Sequence, residues 1–350
     1  MERINAELLT EFVRSVFSRL GLPEADAGTV ADCLVRANLR GVDSHGVFRV
    51  PTYARRLREG LVAARPELRP ERVTAAAATL DGQNGMGAVV GTRAMAEALA
   101  LAADSGIGLV LARRSTHFGM AAFYVLQAIR AGYIGMVFTN ASPALPPWGG
   151  RAPFLGTSPL AVGVPSGRES PFVLDMAMTV LARGNVYLAL ARGERMPPGL
   201  ALDREGRPTV DPRAFLEGGA MLPFGGLKGA ALSMMMDILG GVLTGAAFAG
   251  RVGNPHRDFD RPQNVGHLFL AIRPDLAMPR EEFLARMDEF VAAVKAQPRA
   301  TGFSEILIPG EREARIEAER RHQGIPLPPE VIGSLRAEAA ALGLEFAPAG

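Results

Sequence analysis

The chain has 350 residues, 48% of them hydrophobic and 21% charged, enough apolar material for one or two packed domains and too much for intrinsic disorder. Its 40 glycines and 26 prolines follow no period, which excludes a collagen-like or low-complexity chain. With 38 Lys and Arg against 36 Asp and Glu and no long basic run, no nucleic-acid partner is expected.

Cys33 is the only cysteine, so neither an intramolecular disulfide nor a cysteine zinc site can form. Glu2, Glu7 and Glu11 interrupt the stretch where an export signal would need an apolar core. The most apolar run, 238–250, is too short to span a bilayer. A soluble, cytoplasmic protein with no membrane partner is expected.

In chain order, residues 5–20 carry apolar side chains at helical spacing and stop at Gly21. Pro23 opens a second helix that Gly41 ends, and a third covers 52–59. The middle of the chain changes character. Residues 73–80 read as a strand, 87–103 as an Ala-rich helix, 107–111 as a strand, 120–131 as a helix and 133–139 as a strand. Residues 160–165 and 171–175 read as a hairpin around Ser166-Gly167. The Gly- and Pro-rich segment 193–219 reads as a flap, and 230–248 as a strongly apolar helix packed close against something. Strands at 267–273 and 305–308 and helices at 281–297, 311–322 and 328–342 complete the chain. The expected fold class is mixed α/β (α+β). A discontinuous, mostly helical domain from both chain ends (1–73 and 256–350) would flank an inserted α/β domain (74–255).

No G-x-G-x-x-G follows a strand, so the usual dinucleotide fingerprint is missing, as are the P-loop, H-E-x-x-H and G-x-S-x-G signatures. The five histidines, His45, His117, His256, His267 and His322, lack metal-ligand spacing, and no metal site is expected.

Three segments have residues that could do chemistry. In Asp43-Ser44-His45-Gly46, His45 could pass a proton near neutral pH, and Arg49 and Tyr53 would share its face if a helical turn begins at Gly46. Such a group suits a small anionic carboxylate substrate, which Arg can clamp through two hydrogen bonds. The alternative is a helix-capping cluster with Arg49 and Tyr53 on the surface. Ser115-Thr116-His117-Phe118-Gly119 follows a strand, where α/β proteins place sites; the alternative is a cap with a structural histidine. Gly225-Gly226-Leu227-Lys228-Gly229 puts glycines and a cation at a helix start and could bind phosphate or carboxylate; the alternative is a flexible loop. Lys228 and Lys295 are the only lysines, which makes a retained lysine here notable. Two further loops are of the same kind. One is the uncharged 140–150, with the only tryptophan, Trp148; the other is Pro309-Gly310-Glu311, whose alternative is a helix cap.

Taken together, RGVDSHGVFRVPTYARRL (40–57), LDGQNGMGAVVG (80–91), STHFGMAAFY (115–124), TNASPALPPWGG (139–150), GTSPLAVGVP (156–165), VLDMA (173–177), GGLKG (225–229), QNVGHLFLAI (263–272) and PGEREAR (309–315) resemble the type-2 malate/L-lactate dehydrogenase family. That family includes ureidoglycolate and sulfolactate dehydrogenases, 2,3-diketogulonate reductase and cyclic imino acid reductases. The resemblance implies a non-Rossmann fold with an inserted domain that binds NAD or NADP, in a homodimer. It implies hydride exchange between nicotinamide and a small 2-hydroxy or 2-keto carboxylate; the alternative within the class is reduction of a cyclic imino 2-carboxylate. By the same resemblance His45 and His117 are catalytic, and Ser44, Arg49, Tyr53 and Asn140 contact substrate. Asp175, Met176, Ala177, Met178, Lys228, Gly229, Pro309, Gly310 and Glu311 contact the cofactor. Met178 and Asn185 depart from residues common in the family, and Leu227 and Ala230 replace flanking aromatic residues. These departures motivate a rival of another class, a non-catalytic ligand-binding protein on the same scaffold; His45, Arg49, His117 and Lys228 argue against it.

Overall fold

The computed structural model describes residues 1–180, 186, 189–190 and 193–346. Asn185 lies outside the described residues.

The chain begins with β1 (Glu2–Ile4), α1 (Ala6–Arg19) and α2 (Glu24–Leu39). Leu9, Phe12, Val13, Val16 and Phe17 make one buried stripe on α1, and its exposed end is capped by the Asn5 side chain, which accepts from Leu8 N–H. Two 3₁₀ turns, Asp43–His45 and Val47–Arg49, lead into α3 (Val50–Arg58). At the other end α9 (Glu311–Gln323), β14 (Ile325–Leu327) and α10 (Pro329–Ala341) return to the same place. β1 pairs antiparallel with β14, α9 packs on α2, and α10 packs on α3.

Between them lies a seven-stranded sheet. Its strands are β2 (Glu71–Thr74), β3 (Ala77–Asp81), β4 (Ile107–Ser115), β5 (Ile134–Thr139), β8 (Leu160–Val164), β9 (Phe172–Met176) and β13 (Val265–Ile272), in the order β2-β3-β4-β13-β5-β8-β9. Only β3 and β4 are parallel; the other five neighbouring pairs are antiparallel. A doubly wound sheet would be mostly parallel. α4 (Gly87–Ser105) and α5 (Ala122–Arg130) pack on the sheet, and their buried residues merge with those of α1 and α2 into one core.

The structure corrects several expectations. The central strand β13 comes from beyond the expected break at 255/256, because nearly all of Val265–Ile272 is buried; a strand covered on both faces belongs in the middle of a sheet. The strand expected over 73–80 is a hairpin of β2 and β3. Residues 305–308 form no strand: the Ile308 N–H donates to the Glu311 side chain instead of to a ladder. Short pairs that carry no sequence period also form: β6 (Pro143–Leu145) with β7 (Leu155–Gly156), and β10 (Ala201–Leu202) with β11 (Pro208–Thr209) and β12 (Ala220–Met221), accompanied by α6 (Pro212–Leu216).

The apolar helix ends early. α7 (Leu227–Asp237) passes into a π-turn over Ile238–Val242. Gly240 lies against Asn140 N and Gly266 O, where a Cβ would stand 2.7 and 3.0 Å away, so the chain bends to follow the sheet. α8 (Arg280–Lys295) is mostly exposed, burying only Val291. Among the described residues, no helix is long and apolar enough to cross a membrane.

Candidate active site

The ends of β3, β4, β5 and β9 and the start of β13 gather at one end of the sheet, and α3 faces them. Two of the expected segments meet there. The rings of His45 and His117 stack with centroids 5.4 Å apart and planes 23° apart. Tyr53 Oη lies 2.6 Å from His117 Nδ1. Ser44 Oγ lies 3.0 Å from His45 Nδ1, and Arg49 Nε donates to Ser44 O at 2.8 Å.

Each side chain is held in place from behind. Asn38, buried on α2, donates to Asp43 Oδ1 (2.6 Å) and accepts from Val47 N–H (2.8 Å), bracketing the turn that carries His45. Gly46 fits only because it has no side chain: a Cβ there would sit 2.1 Å from Asn38 Oδ1. Arg320 on α9 grips Asp43 with both ends of its fork, at 2.7 and 3.1 Å. Asp43 therefore braces the turn, and Ser44 is the neighbour that touches the His45 ring. His117 is set by its N–H donating to Gln263 Oε1 (3.1 Å) and by Thr116, whose hydroxyl accepts from Gly87 N–H and donates to Gly85 O.

Arg49, Thr52, Tyr53 and Arg56 follow at i, i+3, i+4 and i+7 and share one face of α3. That face docks on the loop 254–261, and Arg49 Nη1 donates to His256 Nε2 at 2.6 Å. Arg56, 1% exposed, donates to the carbonyls of Asp258 and Arg261.

The electrostatics favour neutral imidazoles. Burial in the cleft, then the Arg49 charge, lowers His45 to about 3. Both rings remain half-buried. Burial, then Arg49 and the neighbouring histidines, lowers His117 well below its ordinary value. Its Nδ1 also accepts from Gly119 N–H at 3.2 Å, which places the proton of the neutral ring on Nε2. Tyr53 is pushed up by burial and stays a phenol.

The expected cofactor segments form a chain along the β9 edge. Val173 N–H donates to Pro309 O, and Gly310, at φ 97°, lies where a Cβ would be 2.7 Å from Val173 Cβ. Past β9, Met178 O accepts from Phe224 N–H, and Thr179 bridges to Pro223, just ahead of the loop carrying Lys228. Met176 pairs with Leu160 within the sheet, and Ala177 is exposed beyond it. Gly229 lies where a Cβ would be 2.1 Å from Phe224 O, which closes that turn. The two lysines differ sharply. Lys295 pairs with the buried Glu311 carboxylate, whereas Lys228 is exposed in the first turn of α7 with no side-chain partner among the described residues. Asp175 Oδ2 accepts from Ala122 N–H at 2.7 Å, tying this edge to the start of α5 and so to the His117 segment. Water reaches Asp175, but protein surrounds it at longer range, and burial raises its carboxyl to about 6.

Residues 4–336 match the malate/L-lactate dehydrogenase family. The chain belongs to that family. It is an oxidoreductase acting on CH–OH groups.

The chain is 38% identical over 350 residues to malate dehydrogenase of Pyrococcus horikoshii, covering 98% of this chain and 96% of that protein. It is 40% identical over 333 residues to L-sulfolactate dehydrogenase of Methanothermobacter thermautotrophicus, covering 94% of each. The solved sulfolactate dehydrogenase of Methanocaldococcus jannaschii superposes with a TM-score of 0.92 at 36% identity over 98% of both chains. Further relatives include a ureidoglycolate dehydrogenase (NAD(+)) of Escherichia coli, 33% identical over 96% of both chains, and a (2R)-3-sulfolactate dehydrogenase (NADP(+)) of Chromohalobacter salexigens, 35% identical over 91% of this chain and 93% of the other. The solved delta1-piperideine-2-carboxylate reductase of Pseudomonas syringae has a TM-score of 0.87 at 30% identity, covering 97% of this chain and all of the other.

Two members of the expected site lie deeper than the cleft. Asn140 is buried, accepting from Gly266 N–H (3.0 Å) and donating to Ala247 O (2.6 Å), so its amide joins β5, β13 and the turn after α7. Met178 is fully buried in a second core with Leu145, Leu155, Phe215, Met221 and Met236. Glu311 caps its own helix through Ile308 N–H besides pairing with Lys295. Sequence reasoning missed Asn38, His256, Gln263 and Arg320. His256, Gln263 and Arg320 act through contacts between distant parts of the chain, and Asn38 through a turn whose geometry no period announces. Among the described residues, no three His, Cys, Asp or Glu side chains converge as a metal site requires.

Proposed function

We propose that the protein is an NAD- or NADP-dependent dehydrogenase that interconverts a small 2-hydroxy carboxylate and its 2-keto acid. The observation that carries this reading is the stacked His45–His117 pair with the Arg49 fork beside it. Malate, sulfolactate and ureidoglycolate, named in the relatives, are all of this class.

The β9 edge fits a dinucleotide in its donor set. Lys228 and the free N–H groups at the start of α7 would hold the pyrophosphate, with the 309–311 loop and Asp175–Ala177 lining the rest. Bound there, the nicotinamide supplies the hydride acceptor or donor. Relatives named for NAD and for NADP support either dinucleotide.

The protein's own part is binding and proton transfer. Arg49 holds the substrate carboxylate. His45 takes the hydroxyl proton in oxidation and returns it in reduction, with Ser44 accepting from Nδ1–H so that Nε2 is free as the base. His117 presents Nε2–H to the reacting oxygen; the Gly119 N–H on its Nδ1 leaves it a donor rather than a base. Since the Arg49 charge helps depress His45, a carboxylate on Arg49 raises the basicity of His45 just when substrate is in place.

Reduction of a cyclic imino 2-carboxylate is a second reading. It is favoured by the likeness to the piperideine carboxylate reductase, and Arg49 would serve it equally. Assaying 2-hydroxy acids and cyclic imino 2-carboxylates with both dinucleotides, by reduced-nicotinamide absorbance, tests the two. Turnover of a hydroxy acid is expected. Turnover of imines alone would favour the second, and none with either would contradict both.

We also propose two structural arrangements. The helical layer from both chain ends supplies His45 and Arg49 to the substrate, and the sheet layer supplies His117 and most of the cofactor groups. The protein is a homodimer: Leu227, Met234, Ile238, Val242 and Leu243 leave an exposed apolar ridge along α7 and the following turn, which a second copy would cover. Sedimentation at micromolar concentration should give twice the chain mass; a monomer would contradict it.

A further inference from the structure

His256 lies in a loop that no motif marks, 207 residues from Arg49, yet it contacts the guanidinium directly. Arg49 is pinned at two points: Nε donates to Ser44 O at 2.8 Å and Nη1 donates to His256 Nε2 at 2.6 Å. Arginine can only donate, so Nε2 of His256 accepts. The proton of the neutral ring is then on Nδ1, which faces Thr52 Oγ1 at 3.3 Å. His256 is itself fixed, its N–H donating to Asn254 Oδ1 at 2.9 Å, and the loop is clamped to α3 by Arg56 on Asp258 O and Arg261 O and by Arg55 stacked 3.6 Å over Phe259.

A guanidinium has five N–H donors. The two pins use two of them and stop rotation of the plane, which leaves the Nη2 side for an acid group. An unpinned arginine would have to surrender its rotamer freedom when substrate binds; here that ordering is already done. We propose that His256 is a positioning residue that pre-orients Arg49 for the substrate's acid group. This rests on the reading of Arg49 as the carboxylate-binding group.

The test compares steady-state constants of His256→Leu, His256→Gln and Arg49→Ala at one pH, with melting curves as a check on folding. His256→Leu should raise KM for the acid by roughly tenfold with kcat within about twofold, the pattern of lost uniform binding. KM for the dinucleotide should not move. His256→Gln offers an acceptor oxygen to Arg49 and should recover most of the affinity. Arg49→Ala should raise KM for the acid further. A raised KM in Arg49→Ala with none in His256→Leu would overturn the role of His256 alone. No change in Arg49→Ala would overturn the carboxylate reading and this inference with it. A folded His256→Gln as impaired as His256→Leu, or a fall in kcat with dinucleotide affinity, would mark His256 as merely structural and also overturn the proposal.

Discussion

At the scale of single residues, the cleft depends on close approaches that leave no room for substitution. Gly46 is the tightest, with Asn38 Oδ1 where its Cβ would go. Gly46→Ala should therefore displace Asn38 or the turn, cost about 1–3 kcal/mol in urea unfolding and lower turnover, because His45 is the residue before it. Unchanged stability and rate would show that the turn has slack. His45, Arg49, Tyr53 and His117 were legible because polar residues at turn and helix spacing stand out in an apolar sequence. His256 was not: its partner Arg49 lies 207 residues away, and only the docked loop brings the two together.

At the scale of elements, the N-terminal helices were legible from period alone, since α1 buries one clean stripe. The pairs β1–β14 and β6–β7 were not, because two or three residues cannot show a period; they form where the fold brings their backbones together. The early end of α7 was equally hidden, being imposed by Gly240 against the sheet. The contact of α9 with the His45 turn has a measurable consequence. Arg320→Met removes a two-pronged grip on Asp43, whose side chain is about half exposed, so the loss should be about 1 kcal/mol in urea unfolding. Turnover should fall with it, since the turn loosens while dinucleotide affinity holds. A variant with wild-type kcat would detach α9 from the site.

At the scale of the whole molecule, histidines that the fold holds neutral tie stability to pH. His45 and His267 titrate at about 3 in the native state, His117 well below 6.5, and all three near 6.5 when unfolded. Between those values the unfolded chain binds more protons, so their contribution is fully present above pH 6.5 and is lost as pH falls toward 3. Asp175 works the other way, its carboxyl raised from 3.8 to about 6, as do Asp26 and Asp32, raised by burial, while carboxyls held low by their partners, such as Asp288 and Glu317, add to the effect of the histidines. Tm should therefore drop as pH is lowered from 6.5 toward 5, and a flat or rising Tm would contradict three rings held neutral in the native state.

The central claim is that His45 moves the proton while His117 and Arg49 hold the substrate. Turnover of His45→Ala on the best hydroxy acid tests it most directly. The rate should fall by about 10²–10⁴ with dinucleotide affinity unchanged; a folded variant that keeps near-full turnover would contradict the account.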